Sequence, residues 1–175
     1  MEQNQPQSDS SKSMGRWMLL AFWIVGLVLL TSFFVGVLER QHNPNQNPIS
    51  QVEGQSIEVK LKRNRMGHYV ATGFINNQPV TFLLDTGATN VSVPAHLAGE
   101  LGLVAGQRYT ASTANGNVTV AQTTIDQLDL GGIQLNDVRA SINPGMREDE
   151  VLLGMSVLKH LEFTQRGDWL ILRYL

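Results

Sequence analysis

The chain has no cysteine. Disulfide bonds, thiol nucleophiles and thiolate-bound metals are therefore excluded as the basis of its fold or its chemistry. An oxidising compartment is permitted but not indicated. Charge is thin as well. Lys and Arg total 13 against 15 Asp and Glu, a formal net charge of -2. There is no basic field for a nucleic acid and no acidic tail, so no nucleic-acid partner is expected. His42, His68, His96 and His160 are scattered without ligand spacing. They read as surface or half-buried imidazoles, and no metal is expected. Internal repeats are missing too.

What is present begins with one long apolar run. Trp17 to Leu38 reads WMLLAFWIVGLVLLTSFFVGVL and carries no charge. Roughly 22 residues rising about 1.5 Å each give about 33 Å of helix, enough for a bilayer core. The rival reading is a cleaved signal peptide, whose apolar region runs about 7–15 residues before a small-residue cleavage site. This run is longer and ends in Val37-Leu38-Glu39-Arg40, without that pattern. A membrane anchor at 17–38 is therefore expected. A buried soluble helix fits worse, because the segment has no polar face. Lys12 and Arg16 precede the span, whereas only Arg40, beside Glu39, closely follows it. That bias puts the N-terminus in the cytoplasm and the remainder outside, in the periplasm if the cell is Gram-negative.

Residues 1–16 read as a polar tail, and 39–55, rich in Asn, Gln and Pro, as a flexible tether. A folded domain is expected over 56–175. With 42% apolar residues, a real core is possible. The pattern there is mostly strand. Ile57 to Leu61 alternates apolar and polar. His68 to Ile75 and Val80 to Leu84 flank a tight turn at Asn76-Asn77. Thr110 to Thr113 and Val118 to Thr124 flank Asn115-Gly116, the strongest short hairpin signal in the chain. Gly131-Gly132 marks another hairpin, and Trp169 to Leu175 is an apolar terminal strand. Two short helices are expected, Pro94 to Leu101 with Gly102 just beyond it, and Met155 to Leu161. The fold class is therefore all-β with two short helices, behind one transmembrane helix.

The chemistry centres on Phe82-Leu83-Leu84-Asp85-Thr86-Gly87-Ala88-Thr89. A carboxylate follows an apolar strand directly, and Gly87 allows a sharp turn and close approach. Two readings fit. One is a turn aspartate capping its own backbone. The other is an acid held at the end of a rigid element, where its protonation can be tuned for acid–base work. The phosphorylated aspartate of ATP-driven pumps would need Lys after the Asp, and related phosphatases a second Asp two residues on. Thr86 and Gly87 fit neither. Downstream, Val151-Leu152-Leu153-Gly154-Met155 places two large apolar residues and a glycine before a short helix. Alone it is a core strand.

Together these two elements resemble the retropepsin-like aspartic peptidases, and most closely their membrane-anchored bacterial group. Leu152-Leu153-Gly154-Met155-Ser156-Val157-Leu158, Gly67-His68-Tyr69 and Thr113-Ala114-Asn115-Gly116 are also similar to that group. The resemblance covers essentially all of 56–175 and the anchor. It implies a closed β fold with Asp85 beneath a flap. It implies that Asp85 is catalytic, that Thr86, Gly87, Ala88 and Thr89 complete the active-site loop, and that Thr86 bonds across a dimer. It assigns the flap to Ala114, Asn115, Gly116 and Asn117, although that loop lacks the Ile/Gly-rich tip of viral enzymes. It makes Leu152, Leu153 and Gly154 the support beside the catalytic loop, and it implies that terminal strands knit the dimer.

Hydrolysis by this route needs two carboxylates that share a proton. Only one Asp-Thr-Gly is present. Asp126, Asp129, Asp137 and Asp168 lack its small residues and its preceding strand. A two-fold homodimer would pair two copies of Asp85. Water is the nucleophile, so no cofactor is required. The expected activity is endopeptidase action on a protein or peptide substrate. The alternative is a non-catalytic peptide-binding module of the same fold. Asn90-Val91-Ser92 and Asn117-Val118-Thr119 match the glycosylation pattern, but a glycan there would obstruct the cleft, which favours a bacterial chain. Lys60, Lys62, Arg63 and Arg65 form a small basic run. A solvated strand and turn is the plain reading of it, and contact with lipid headgroups is the alternative.

Overall fold

The computed structural model describes residues 10–54, 56–113 and 116–174, with the backbone alone at 10–13 and 53. Two compact units result, one ending at Glu39 and one running from Arg40 onward. The first is the bulk of helix α1, Ser10–His42. Its large apolar side chains point outward all round, Trp17, Phe22 and Leu29 among them. Over Met14–His42 it is long and apolar enough to cross a membrane, and none of its most apolar stretch is buried in protein. That is compatible with an anchor or a signal sequence. The helix is longer than the expected span, because 10–16 and 39–42 continue it.

The second unit begins with strands β1 (Ile49–Glu53), β2 (Ser56–Lys62), β3 (Tyr69–Ile75), β4 (Gln78–Leu84) and β5 (Val91–Pro94). Next come β6 (Arg108–Thr113), β7 (Gly116–Leu130), β8 (Ile133–Asn143) and β9 (Glu150–Leu153). Helix α2 (Met155–Leu158) and strands β10 (Glu162–Arg166) and β11 (Trp169–Tyr174) complete it. The larger sheet runs β3-β4-β9-β5-β8-β7-β6, and β3 also pairs with β7, which closes a barrel. The closure joins Phe74 to Asp129 and Ile75 to Leu128. Gly73 permits it: a Cβ there would lie 2.4 Å from the Asp129 carbonyl oxygen and 2.6 Å from the Phe82 ring.

The hairpins follow their turn residues. Asn76 and Asn77 take positive φ of 49° and 65°, the conformation that a two-residue turn matched to strand twist requires. Gly131 and Gly132 do the same between β7 and β8. Alternation then sorts the side chains. Along β7, Thr123 and Ile125 face inward and so do Leu128 and Leu130. The phase slips by one residue at Asp126, which with Asp137 is missing from the ladder. Phe82, Ile75, Leu128, Ile133 and Leu153 are fully buried and form the barrel core.

Several segments differ from the sequence reading. Part of the stretch read as a flexible tether is ordered. β1 pairs along β2 from Ile49↔Lys60 to Glu53↔Ser56, and Asn43 and Asn45 are buried. Where a helix over Pro94–Leu101 is expected, Pro94 ends β5 and Ala95–Leu101 is a succession of turns, with a single i→i+4 bond from Leu101 N to Leu97 O (3.0 Å). α2 stops at Leu158 and continues as turns to His160. The expected apolar terminal strand is β11. It lies between β2 and β10 in a four-stranded sheet ordered β1-β2-β11-β10, so the edges are β1 and β10.

Candidate active site

Asp85 stands where β4 leaves the barrel. β4 runs parallel to β9, pairing Leu83 with Leu152 and Leu84 with Leu153. The Asp85 N–H extends that ladder by one step, donating to Leu153 O at 3.2 Å. The chain then turns, with Ala88 N donating to Asp85 O at 3.2 Å. Inside the turn, Gly87 N donates to Asp85 Oδ1 at 2.8 Å. The self-capping reading of this aspartate is therefore correct, and it accounts for one of its two oxygens. Oδ2 has no hydrogen-bond partner among the described residues, and neither does the exposed Thr86 hydroxyl. Asp85 itself is partly exposed.

The far side of the loop is bolted to α2. The first N–H groups of a helix have no partner within it. Here Met155 N donates to Ala88 O and Ser156 N to Thr89 O, both at 2.8 Å. Ser156 Oγ in turn accepts from Val91 N at 3.2 Å. Gly154 makes this proximity possible. A Cβ there would sit 2.4 Å from Asn90 O and 2.6 Å from Ala88 O, closer than real Cβ contacts allow. β9 is flanked on its other side by β5, where Ser92 pairs with Leu152. The loop is thus fixed at both ends by main-chain bonds.

Asp85, Thr86, Gly87, Ala88 and Thr89 therefore lie together, with Leu152, Leu153 and Gly154 directly beside them. Of the residues expected to form a flap, only Gly116 and Asn117 are among the described residues. Thr113 pairs with Gly116 and Ser112 with Asn117 at the end of the β6–β7 hairpin. Ala114 and Asn115 lie outside the described residues. Ser156 is the positioning residue that sequence reasoning gave no role, and a serine after an apolar-apolar-Gly-Met run carries no signal of its own. A cavity of about 550 Å³ on the flank of the loop is lined by Asn90, Ser156 and Lys159 among others, and Asp85 is not among its lining residues. Among the described residues there is no cluster of three side chains suited to a metal.

Residues 71–160 match the family model described as "gag-polyprotein putative aspartyl protease". An uncharacterized protein from the cobV 5′ region of a Sinorhizobium species is 30% identical over 168 residues, covering 88% of this chain and 72% of its own length. An uncharacterized protein of Rickettsia prowazekii (strain Madrid E) is 30% identical over 121 residues, 67% of this chain and 52% of its own. Among solved structures, a retropepsin-like aspartic protease from Rickettsia conorii superposes with a TM-score of 0.57 at 27% identity, covering 73% of this chain and 94% of that one. With the barrel, the Asp-Thr-Gly loop and the glycine that lets α2 dock behind it, these matches place the chain in the retropepsin-like aspartic peptidase family.

Proposed function

We propose that this protein is a membrane-anchored aspartic endopeptidase that works as a homodimer, each copy contributing Asp85. One carboxylate takes a proton from water as it attacks the scissile carbonyl. The other donates a proton to the carbonyl oxygen, which becomes the hydroxyl of the tetrahedral intermediate. Proton return to the leaving nitrogen completes the cleavage. The observation that carries this reading is the state of the loop. A rigid main-chain frame presents Asp85 Oδ2 and the Thr86 hydroxyl, neither with a partner among the described residues. A second copy supplies the missing carboxylate. The cleft between two such copies suits an extended peptide. Residues 17–38 are the anchor, with the N-terminus cytoplasmic and the peptidase on the extracytoplasmic side.

The test is a mixing experiment on the purified full chain with a pool of unstructured peptides. Wild type alone should cleave, and equal Asp85→Asn protein, allowed to exchange, should poison it. Random pairing leaves about a quarter of dimers fully wild type, so wild-type activity falls to about half when the total is well above the dimer Kd. The rate should also pass through a maximum with pH, since the working pair carries one proton. Activity per wild-type chain that is indifferent to the mutant would end the dimer reading. Peptide binding without any cleavage would favour the binding-module alternative.

A further inference from the structure

The connection from β2 to β3, Arg63-Asn64-Arg65-Met66-Gly67-His68, takes no part in the proposed reaction, yet it is tightly built. Asn64, only 7% exposed, organises it. Its Oδ1 accepts from Met66 N at 3.0 Å and from His68 N at 2.9 Å, and its Nδ2 donates to His42 O at 2.9 Å. With Asn64 turned inward, Met66 is left at the tip and is 71% exposed. An apolar side chain held out on an ordered turn adds nothing to the core. Around it stand Arg63, Arg65 and His68, all exposed.

The position of this tip is fixed by its bonds. Arg65 Nη1 donates to Gln41 Oε1 at 3.0 Å, and Asn64 holds the carbonyl of His42. Gln41 and His42 are the last residues of α1. Three peptide steps separate Gln41 from Leu38, the last apolar residue of the run, so the two lie within about 10 Å of each other. The headgroup layer of a bilayer adds roughly 5–8 Å beyond the hydrocarbon on each side. The chain therefore tethers the loop within reach of the headgroup layer. Nor can it drift away, because the adjoining strap is buried. Asn45 Nδ2 donates to Lys62 O (2.8 Å) and Val70 O (2.7 Å), and Lys62 N donates to Asn45 Oδ1 (2.6 Å).

We propose that the 63–68 loop is a second membrane contact, with Met66 entering the interfacial region while cations beside it meet anionic lipid headgroups. This rests on reading 17–38 as a membrane span. Charged groups in or next to this loop and its strap include Arg40, Lys62, Arg63, Arg65 and His68, opposed by Asp168 and by Glu150, which pairs with His42. Asp168 Oδ1 accepts from Arg63 Nη2 at 2.5 Å, which withdraws one cation and leaves Arg40, Lys62 and Arg65 as the main headgroup partners. Two attachment points, the span and the loop, fix the peptidase body against rotation over the bilayer.

Because the chain lacks cysteine, Met66→Cys gives a unique site for an environment-sensitive fluorophore on the full-length protein. The labelled protein is reconstituted into vesicles of phosphatidylcholine, with or without phosphatidylglycerol and headgroup-proximal nitroxide lipid. A second label at Val104→Cys serves as the aqueous reference. Val104 is 81% exposed. It follows the turn whose Leu101 O accepts from Asn76 Nδ2 at 2.9 Å. Asn76 lies at the opposite end of the seven-residue β3 from His68, about 23 Å away along the strand.

The Met66 label should show blue-shifted, quenchable emission, more so in anionic vesicles, while the Val104 label stays solvent-like. Lys62→Gln or Arg65→Gln should each lower the loop's partition constant by about fivefold. A Met66 label as solvent-like as Val104, on protein that still floats with the vesicles, would overturn the inference and leave the span standing. Equal insertion into neutral and anionic vesicles would overturn the role given to the cations. Protein that does not float at all would overturn the span and this inference with it.

Discussion

Asn43-Pro44-Asn45 and Asp85-Thr86-Gly87 are both short polar segments beside a barrel strand, β3 in one case and β4 in the other. In the first, the side chains do the holding. Asn43 Nδ2 donates to Thr72 Oγ1 at 2.9 Å, and its Oδ1 accepts from Asn45 N at 3.0 Å. Asn45 uses every polar atom of its amide on main-chain groups of β2 and β3. In the second segment the main chain does the holding, through Asp85 N to Leu153 O and Ala88 O to Met155 N. The side chains of Asp85 and Thr86 keep atoms without a partner among the described residues. A buried polar group must find its partners inside the fold. A working polar group on a rigid frame is left for a partner from outside. The contrast distinguishes a structural asparagine from the aspartate proposed as catalytic.

The sharpest way to break this contrast is Asp85→Asn. The amide keeps the shape and the bond from Gly87 but cannot shuttle the proton. Peptide turnover should fall about a thousandfold or more, with far-UV circular dichroism and Tm unchanged. A large drop in Tm would make Asp85 a structural residue like Asn45.

Gly154→Ala attacks the frame instead. A methyl group cannot fit 2.4 Å from Asn90 O, so the loop must part from α2. A stability loss of about 3 kcal/mol by urea denaturation is expected, with activity lost among molecules that remain folded. Retained turnover would mean that the loop does not need α2 behind it.

Asn45→Ala should act in the opposite sense. It strips partners from Lys62 N, Lys62 O and Val70 O, at a cost of about 2 kcal/mol in the same denaturation assay. Turnover per folded molecule should stay near wild type, since the Asn45 side chain bonds Lys62 and Val70 and not the Asp85 loop. Loss of turnover without loss of stability would refute the division drawn between the two segments.

The smallest effect belongs to the second sheet. The Arg173 guanidinium, donating to Glu58 Oε2 at 2.7 Å with Lys60 nearby, holds the Glu58 carboxyl below its ordinary range. A carboxyl lowered in the folded state stabilises above its unfolded pKa, and the benefit is lost as pH falls through the folded value. Wild type and Glu58→Gln should therefore differ slightly in Tm at neutral pH and converge on acidification. A gap that persists in acid would point to packing as its source.

Local patterns were legible where a short stretch of chain decides its own conformation. Asn76-Asn77 and Gly131-Gly132 admit positive φ, and their flanking strands alternate. Asp85-Thr86-Gly87 after Phe82-Leu83-Leu84, with Leu152-Leu153-Gly154 ahead of α2, marked the site and its support. Distant partners erased the rest. Asn43 and Asn45 read as tether because nothing nearby shows that Lys62, Val70 and Thr72 will enclose them. The edge strand β10, Glu162–Arg166, has no inward-facing residue and so no alternation to read. Pro94–Leu101 carries helical start and stop signals, yet Ala95 N bonds Asn143 O and Leu103 N bonds Ala98 O, which tie the segment into turns.

The sequence by itself determined that a long uncharged apolar run precedes a β domain with one carboxylate set in an Asp-Thr-Gly turn. Those features depend on composition, period and turn chemistry within a few residues. Only the tertiary structure decided that Leu153 O takes the Asp85 N–H and that Ser156 braces the loop. It alone decided that the segment after the helix is a buried strap, and that Trp169–Tyr174 lies inside a sheet rather than at its edge. Each of these depends on a hydrogen bond between residues far apart in the chain, and no local period records which distant group will arrive to make it.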